Sequence, residues 1–237
     1  MRRANSLPTS VLAARLSFAA TLAALLSLAS LHVLSPEFDP SWRMVSEYAN
    51  GRYGWVLSLM FVSWALSSWA LAFAVRSEVR TLAGKVGLAF LVVAGVGWAM
   101  ASIFDVNHER LHHIAAYLSI LGLPIAAMLI SICLVRTELW SPAKRTLLWT
   151  ANLTWASLVL MVTSAIALDV TFLRAGGDVP PSARSLPPGA ALPPGTIAFL
   201  GYANRLLIGV YCLWLLVVAW YCIRLAGRSL FPQKGEM

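Results

Sequence analysis

The sequence predicts an all-α fold, a polytopic transmembrane bundle of six helices, and three observations carry that prediction. Of the 237 residues, 59% are apolar and only 12% charged, with a mean hydropathy of +0.74, whereas a soluble domain carries about 25% charged residues. Six stretches are long and apolar enough to cross a hydrocarbon core of about 30 Å, which takes about 20 residues of helix. Lys and Arg also alternate in density from one connection to the next, as they do when successive loops lie on opposite sides of a membrane. This composition excludes a cytosolic enzyme, a secreted disulfide domain and a disordered chain.

The predicted spans fall at about residues 12–34, 54–75, 84–104, 112–135, 145–168 and 197–224. The apolar cores of the first five hold no charged side chain, and the sixth is interrupted only by Arg205. Together they occupy more than half the chain and leave no room for a soluble domain, so residues 1–237 read as one membrane domain. Arg2 and Arg3 ahead of the first span would suit a signal peptide. An h-region of about 7–15 residues is shorter than this stretch, however, and cleavage would spoil the charge alternation.

Orientation follows from the short loops. The N-terminal segment, the second and fourth connections and the C-terminal tail hold twelve Lys and Arg against three acids, a net +9. The remaining connections, with Arg205, hold six Arg against seven acids, a net −1, and the two values recover the +8 of the chain. Both termini are therefore expected in the cytoplasm, with the protein in the inner (plasma) membrane of a bacterial cell. The basic excess is topological and gives no reason to expect nucleic acid.

The cytoplasmic connections are short, so spans two and three, and four and five, should be antiparallel neighbours. The first outer connection, residues 35–53, holds Pro36, Pro40 and an amphipathic stretch ended by Gly51. There Trp42, Val45 and Tyr48 recur at helical spacing, and Arg43 and Glu47 form an i,i+4 pair on another face. A short helix lying in the interface is expected. The fifth connection, residues 169–196, contains Gly176-Gly177, Pro180-Pro181, Pro187-Pro188 and Pro193-Pro194. It reads as an irregular, flexible loop with extended pieces, a lid over an outer cavity being the alternative. Cys133, Cys212 and Cys222 lie in apolar helices and read as packing residues. Gly95, Gly97 and Ala101 permit close helix approach, and Trp42, Trp55, Trp140 and Trp149 fall where an aromatic belt would.

Chemistry, if present, belongs to the outer side, which holds His32, His108, His112 and His113 with seven of the ten acids. Polar groups at membrane depth are costly and face a bundle interior or a watery cavity, so the outer helix ends read as the floor of a polar pocket. If the fourth helix begins near Asp105, then Asp105, His108 and His112 share one face. A carboxylate with two imidazoles suits a divalent metal with an open position, and a bound water would be activated for hydrolysis. The plainer reading has Asp105 capping a turn and the histidines bonded to nearby loops. Arg205 should pair with Asp39, Glu47, Asp105 or Asp169, or else snorkel to the headgroups. Its guanidinium would also suit a lipid phosphate or carboxylate. Ser46 beside Glu47 has no spacing that supports a nucleophile. The spans show neither inverted repeats nor midplane breaks, which counts against a coupled transporter. A haem site would need His32 and His112 to face one another.

Three segments carry a resemblance. Ser35-Pro-Glu-Phe-Asp39-Pro40 with Arg43, Ser46-Glu-Tyr48 and Gly51-Arg-Tyr-Gly54-Trp55 comes first, Ile103-Phe104-Asp105 with Leu111-His112 second, and Gly201-Tyr-Ala-Asn204-Arg205-Leu with Trp214 third. Together they resemble a bacterial six-helix membrane family, domain of unknown function 998 (DUF998), over roughly residues 16–225. This chain lacks the proline that the family places between Phe104 and Asp105. The resemblance implies a shared outer-face site of Asp39, Arg43, Ser46, Tyr48, Asp105, His112 and Arg205, and it implies no activity. The leading expectation is a membrane protein of unknown activity that binds a lipid or small amphiphile through Asp39, Arg43, Ser46, Tyr48 and Arg205. The alternative is a membrane-embedded, metal-dependent hydrolase or lipid-modifying enzyme. It would use Asp105 and His112 for catalysis and Asp105, His108 and His112 for a metal. Membrane lipids are the expected partners.

Overall fold

A computed structural model describes residues 7–177 and 186–230. Arg2, Arg3, Asp178, Pro180-Pro181, Arg184, Lys234, Glu236 and the side chain of Arg228 lie outside the described residues. Six long helices account for most of the rest: α1 (Leu7–Leu34), α2 (Gly54–Val75), α3 (Leu82–Ile103), α4 (Glu109–Leu134), α5 (Lys144–Arg174) and α6 (Leu200–Leu230). Each is long and apolar enough to cross a membrane. Short 3-10 helices at Val45–Asn50 and Glu138–Ala143 complete the order, and the described residues contain no strand.

The helix ends follow local chemistry more closely than hydropathy. The apolar stretch of α5 stops before Asp169, yet the helix runs on to Arg174, because a charge ends a hydrophobic run without ending the backbone ladder. Its actual stop is a glycine cap. Gly176 adopts a φ of +94°, its N–H bonds the Leu173 carbonyl, and the Gly177 N–H bonds that of Phe172. The fourth helix begins at Glu109, after a turn in which the His108 N–H reaches the Asp105 carbonyl.

Consecutive helices pack side by side, α6 closes against α1, and α2 and α6 also touch across the middle. With six antiparallel spans, the start of α1, the end of α6 and the second and fourth connections share one end of the bundle, here the terminal end. The other three connections share the opposite, capped end. Among the seams, α1 and α2 meet at a hydroxyl knot, where Ser67 Oγ lies 2.6 Å from Thr21 Oγ1 and 3.1 Å from Ser17 Oγ. On α3, Gly97 lies so close to α4 that a Cβ there would stand 2.6 Å from the Ala115 carbonyl oxygen, as small residues allow in membrane bundles. Gly95 instead accommodates the Trp69 ring of α2.

Pro124 sits inside α4. Proline has no N–H to give the carbonyl four residues back, and an unpaired carbonyl in an apolar interior is expensive. Tyr211 of α6 supplies the missing donor, its hydroxyl bonding the Ile120 carbonyl at 2.7 Å.

Two sequence expectations change. Trp55 and Trp149 are exposed near helix ends, as belt residues should be, but Trp42 and Trp140 are buried inside the protein. The first connection also does not present one polar face outward. Its helix is a six-residue 3-10 turn, and Arg43 and Glu47 are buried along with Trp42, Val45 and Tyr48. The segment is tucked into the helix ends as a cap. Cys133, Cys212 and Cys222 are unbridged, the first two buried.

Candidate functional site

The cap is held by a polar clamp at the start of α6. Gly201 lets the two backbones meet: its N–H donates to the Ser41 carbonyl at 2.9 Å, and a Cβ would come within 2.8 Å of Arg43 O and Trp42 N. One turn on, Asn204 Oδ1 accepts from the Val45 N–H at 2.9 Å. Arg205 then directs Nη1 to the carbonyls of Arg43 (2.7 Å) and Gly201 (2.9 Å), Nη2 to Tyr48 Oη (3.0 Å) and Nε to His32 Nε2 (2.6 Å). A guanidinium nitrogen only donates, so His32 Nε2 is the acceptor. The His32 proton then sits on Nδ1, which reaches the Leu28 carbonyl at 2.7 Å.

Arg43 is clamped as fully. Its guanidinium pairs with Glu47 at 2.8 Å, donates to the carbonyls of Leu186 and Pro187 and packs 3.9 Å from the centre of the Trp42 ring. Glu47 uses its other oxygen to accept from the Met44 N–H. The Gly189 N–H donates to the Glu37 carbonyl, so the described part of the last connection is tied down onto the cap and does not hang loose.

Arg205 was expected to pair with a carboxylate. Among the described residues none lies within ion-pair distance of it, and its donors go to carbonyls, a phenol and an imidazole. A guanidinium can be satisfied at depth by backbone and neutral acceptors, and the cap supplies them.

The expected metal triad does not assemble. The i, i+3, i+7 argument placed Asp105 in the first turn of the fourth helix, but that helix starts at Glu109 and Asp105 belongs to the turn before it. Asp105 accepts from the Asn107 N–H (2.9 Å) and faces His108 Nδ1 (3.1 Å), while His112 turns its Nδ1 to the Phe104 carbonyl (2.9 Å). Among the described residues no three His, Cys, Asp or Glu side chains form a ligand set. Asp105 and His112, the expected catalytic pair, have separate partners. Burial pushes the Asp105 carboxyl up, but the Asn107 N–H and the His108 ring outweigh it and hold the group below the usual carboxylate range. Asp39 is exposed and accepts from the Ser41 N–H in another such turn. Asn107 also bonds Asn50 at 3.0 Å, which joins the third connection to the cap.

Beneath the cap lies a cavity of about 60 Å³. Phe61 and Trp64 of α2, Trp98 of α3, Ile120 of α4 and Leu207 and Ile208 of α6 form most of its wall. Ser46, His112, Ser119 and Asn204 contribute the polar part, so the space is an apolar slot with a polar edge and not the polar floor expected. The rings of Trp64 and Trp98 stack with centroids 3.9 Å apart, and Phe61 lies parallel on Trp98 at 5.9 Å. Both indole N–H groups are buried without a partner among the described residues. Trp64, Trp98, Ser119 and Asn204 were not singled out from the sequence as site residues. The signal available was a tryptophan at the middle of a span, away from the interfaces where the residue concentrates.

The three segments singled out in the sequence thus converge at the capped end, two in the clamp and the third beside them. A family model described as protein of unknown function (DUF998) matches residues 18–221. The chain belongs to the DUF998 family. No curated protein and no solved structure matches it. For this DUF998 protein the residues expected to form one shared site separate, with Asp39 and Asp105 each closing a turn of its own. Arg43, Tyr48 and Arg205 hold the roof, while Ser46 and His112 face the space beneath it.

Proposed function

We propose that this multi-pass membrane protein binds a lipid or small amphiphile in the cavity beneath the cap. An apolar segment would lie against Phe61, Leu207 and Ile208, with the more polar part at Ser46 and His112. With His112 Nδ1 committed to Phe104, Nε2 remains as an acceptor for a ligand hydroxyl. Arg43, Tyr48 and Arg205 serve the ligand indirectly, by fixing the position of Ser46, and Asp39 shapes the rim. The charge distribution, +9 against −1, supports placing the capped end on the outer face of the inner (plasma) membrane and the terminal end in the cytoplasm. The ligand then comes from the outer leaflet.

The observation that carries this reading is the cavity itself, an apolar space with a polar edge in the half of the bundle nearest the cap. Protein interiors leave few voids larger than a water molecule, and about 60 Å³ admits the end of an apolar segment and not a whole amphiphile. The test is native mass spectrometry of protein extracted in mild detergent. Wild type should retain a lipid adduct, and Ala116→Leu, which fills the cavity from α4, should lower its occupancy by about tenfold, equivalent to about 1.4 kcal/mol. Wild type without an adduct, or an adduct indifferent to Ala116→Leu, would overturn the proposal.

A further inference from the structure

The outward face of α5 differs from those of the other five helices. More than a turn inside the predicted spans, every exposed residue of those five is aliphatic, aromatic or glycine, whereas α5 exposes Asn152 and Thr163. Both lie at hydrocarbon depth. From the midpoint of the predicted span 145–168, at 1.5 Å per residue, Asn152 is about 7 Å and Thr163 about 10 Å away, within a half-thickness of about 15 Å. They are close to three full turns apart and so share one face, which Ala156, Val159 and Ile166 complete at steps of four, three, four and three residues. That face points away from the buried Thr154, Met161 and Leu168, and α5 is the least buried of the six spans.

Thr163 is satisfied within its own helix, its hydroxyl donating to the Val159 and Leu160 carbonyls. Asn152 is satisfied only in part. One Nδ2 hydrogen goes to the Leu148 carbonyl at 2.7 Å, which leaves the other hydrogen and Oδ1 without a partner among the described residues. A half-bonded carboxamide facing hydrocarbon is expensive, and a bond to another helix relieves it.

The occupant that matches this face is another copy of the chain. A charge asymmetry of +9 against −1 orients every copy alike, so two α5 helices that meet run parallel. Steps of four and three are the spacing of a parallel helix pair, and a two-fold axis along the membrane normal sets each residue of the face opposite itself. A carboxamide carries both a donor and an acceptor, so two that meet satisfy each other, and Ala156 lets the backbones approach. Arg145 and Arg174, towards the ends of the same side, are long enough to splay into the headgroups. We propose that the chain forms a parallel two-fold dimer through α5, in which each Asn152 Oδ1 accepts the free Nδ2 hydrogen of the other.

The test is disulfide cross-linking of the full chain in membranes of cells that express it, where all copies share one orientation. Val159→Cys places a thiol on the pairing face, and Leu213→Cys places one on the exposed side of α6. Under copper phenanthroline the first should give a dimer band well above wild type, whose own three cysteines set the background, and the second should not. With Val159→Cys in place, Asn152→Leu should slow cross-linking about three- to tenfold, as expected for a polar contact between membrane helices. Asn152→Gln, which keeps the carboxamide, should retain most of the rate. The amount of monomer in the membrane reports folding and should not change in either variant; should it fall, the contrast between the two cysteine positions decides. No cross-link above background at Val159→Cys, one to a different protein instead, equal cross-linking at Leu213→Cys, or a rate indifferent to Asn152→Leu would overturn the dimer.

Discussion

Two regions at the same end of the bundle treat their polar groups in opposite ways. In the clamp, Arg205 makes four hydrogen bonds to four different acceptors, and Arg43 is paired, bonded and stacked. In the cavity beneath, two indole donors have no partner among the described residues. Charged residues attract attention first in a membrane sequence, yet in this bundle they are the satisfied ones and read as structure. The neutral tryptophans are the unsatisfied ones, and Trp140 at the terminal end is among them. The difference teaches that a charge at membrane depth does not by itself mark a site, because here the charged groups are the ones whose bonding the fold completes.

The strongest way to break this comparison is to show that the clamp is dispensable. Arg43 is 1% exposed, and its partner Glu47 is nearly as buried. Removing one member of a buried pair leaves an uncompensated charge and costs about 3–5 kcal/mol. Arg43→Ala should therefore lower the thermal unfolding midpoint in detergent by more than Tyr211→Phe or Asp105→Asn. The Arg43→Ala/Glu47→Ala double variant should recover part of the loss. If Arg43→Ala is as stable as wild type, the clamp is decoration and the contrast fails.

A smaller effect is expected where the bundle repairs its own backbone. Tyr211→Phe removes the donor to the Ile120 carbonyl, which Pro124 leaves without a helical N–H, and an unsatisfied buried acceptor costs about 1–3 kcal/mol. Pro124→Ala restores the N–H within α4, so Tyr211→Phe should cost less in that background. A double-mutant cycle should give a coupling of about 1 kcal/mol. Strict additivity would mean that the tyrosine serves some purpose other than replacing the missing bond.

The sequence made the spans legible because hydropathy and loop charge are read along one dimension. The second span, 54–75, matches α2 at both ends. Three-dimensional coverage was not legible. The spacing of Arg43 and Glu47 correctly implied that they meet, but nothing local showed that residues 186–187 would lie over them, and so the pair read as a surface feature. Asp105 and His112 were aligned on an assumed helix start four residues too early, and a residue in the turn ahead of a helix does not share the helix's facial register. Gly176-Gly177 was visible and read as loop, although the same glycines are the cap that ends α5. Trp64 is silent in hydropathy and loop charge and lies away from the interfaces where tryptophan concentrates. Its position at the centre of α2 was the signal, since an indole there must find an acceptor or lack one.

Asp105 sharpens the comparison from the weak side, as a polar group that is partnered but wet. Its side chain is 38% exposed, so solvent screens its contact with His108 and any stabilisation stays below about 1 kcal/mol. The sign is still fixed. A carboxyl held below its unfolded pKa stabilises the fold above about pH 4, and that contribution disappears as pH falls through the lowered folded value. Asp105→Asn keeps an acceptor for the Asn107 N–H and removes only the charge. The variant should therefore be slightly less stable than wild type near neutral pH, and the two should converge below about pH 4 in thermal melts. A difference that persists or grows in acid would mean that the carboxylate does more than close its turn, and would bring the third connection back into the functional site.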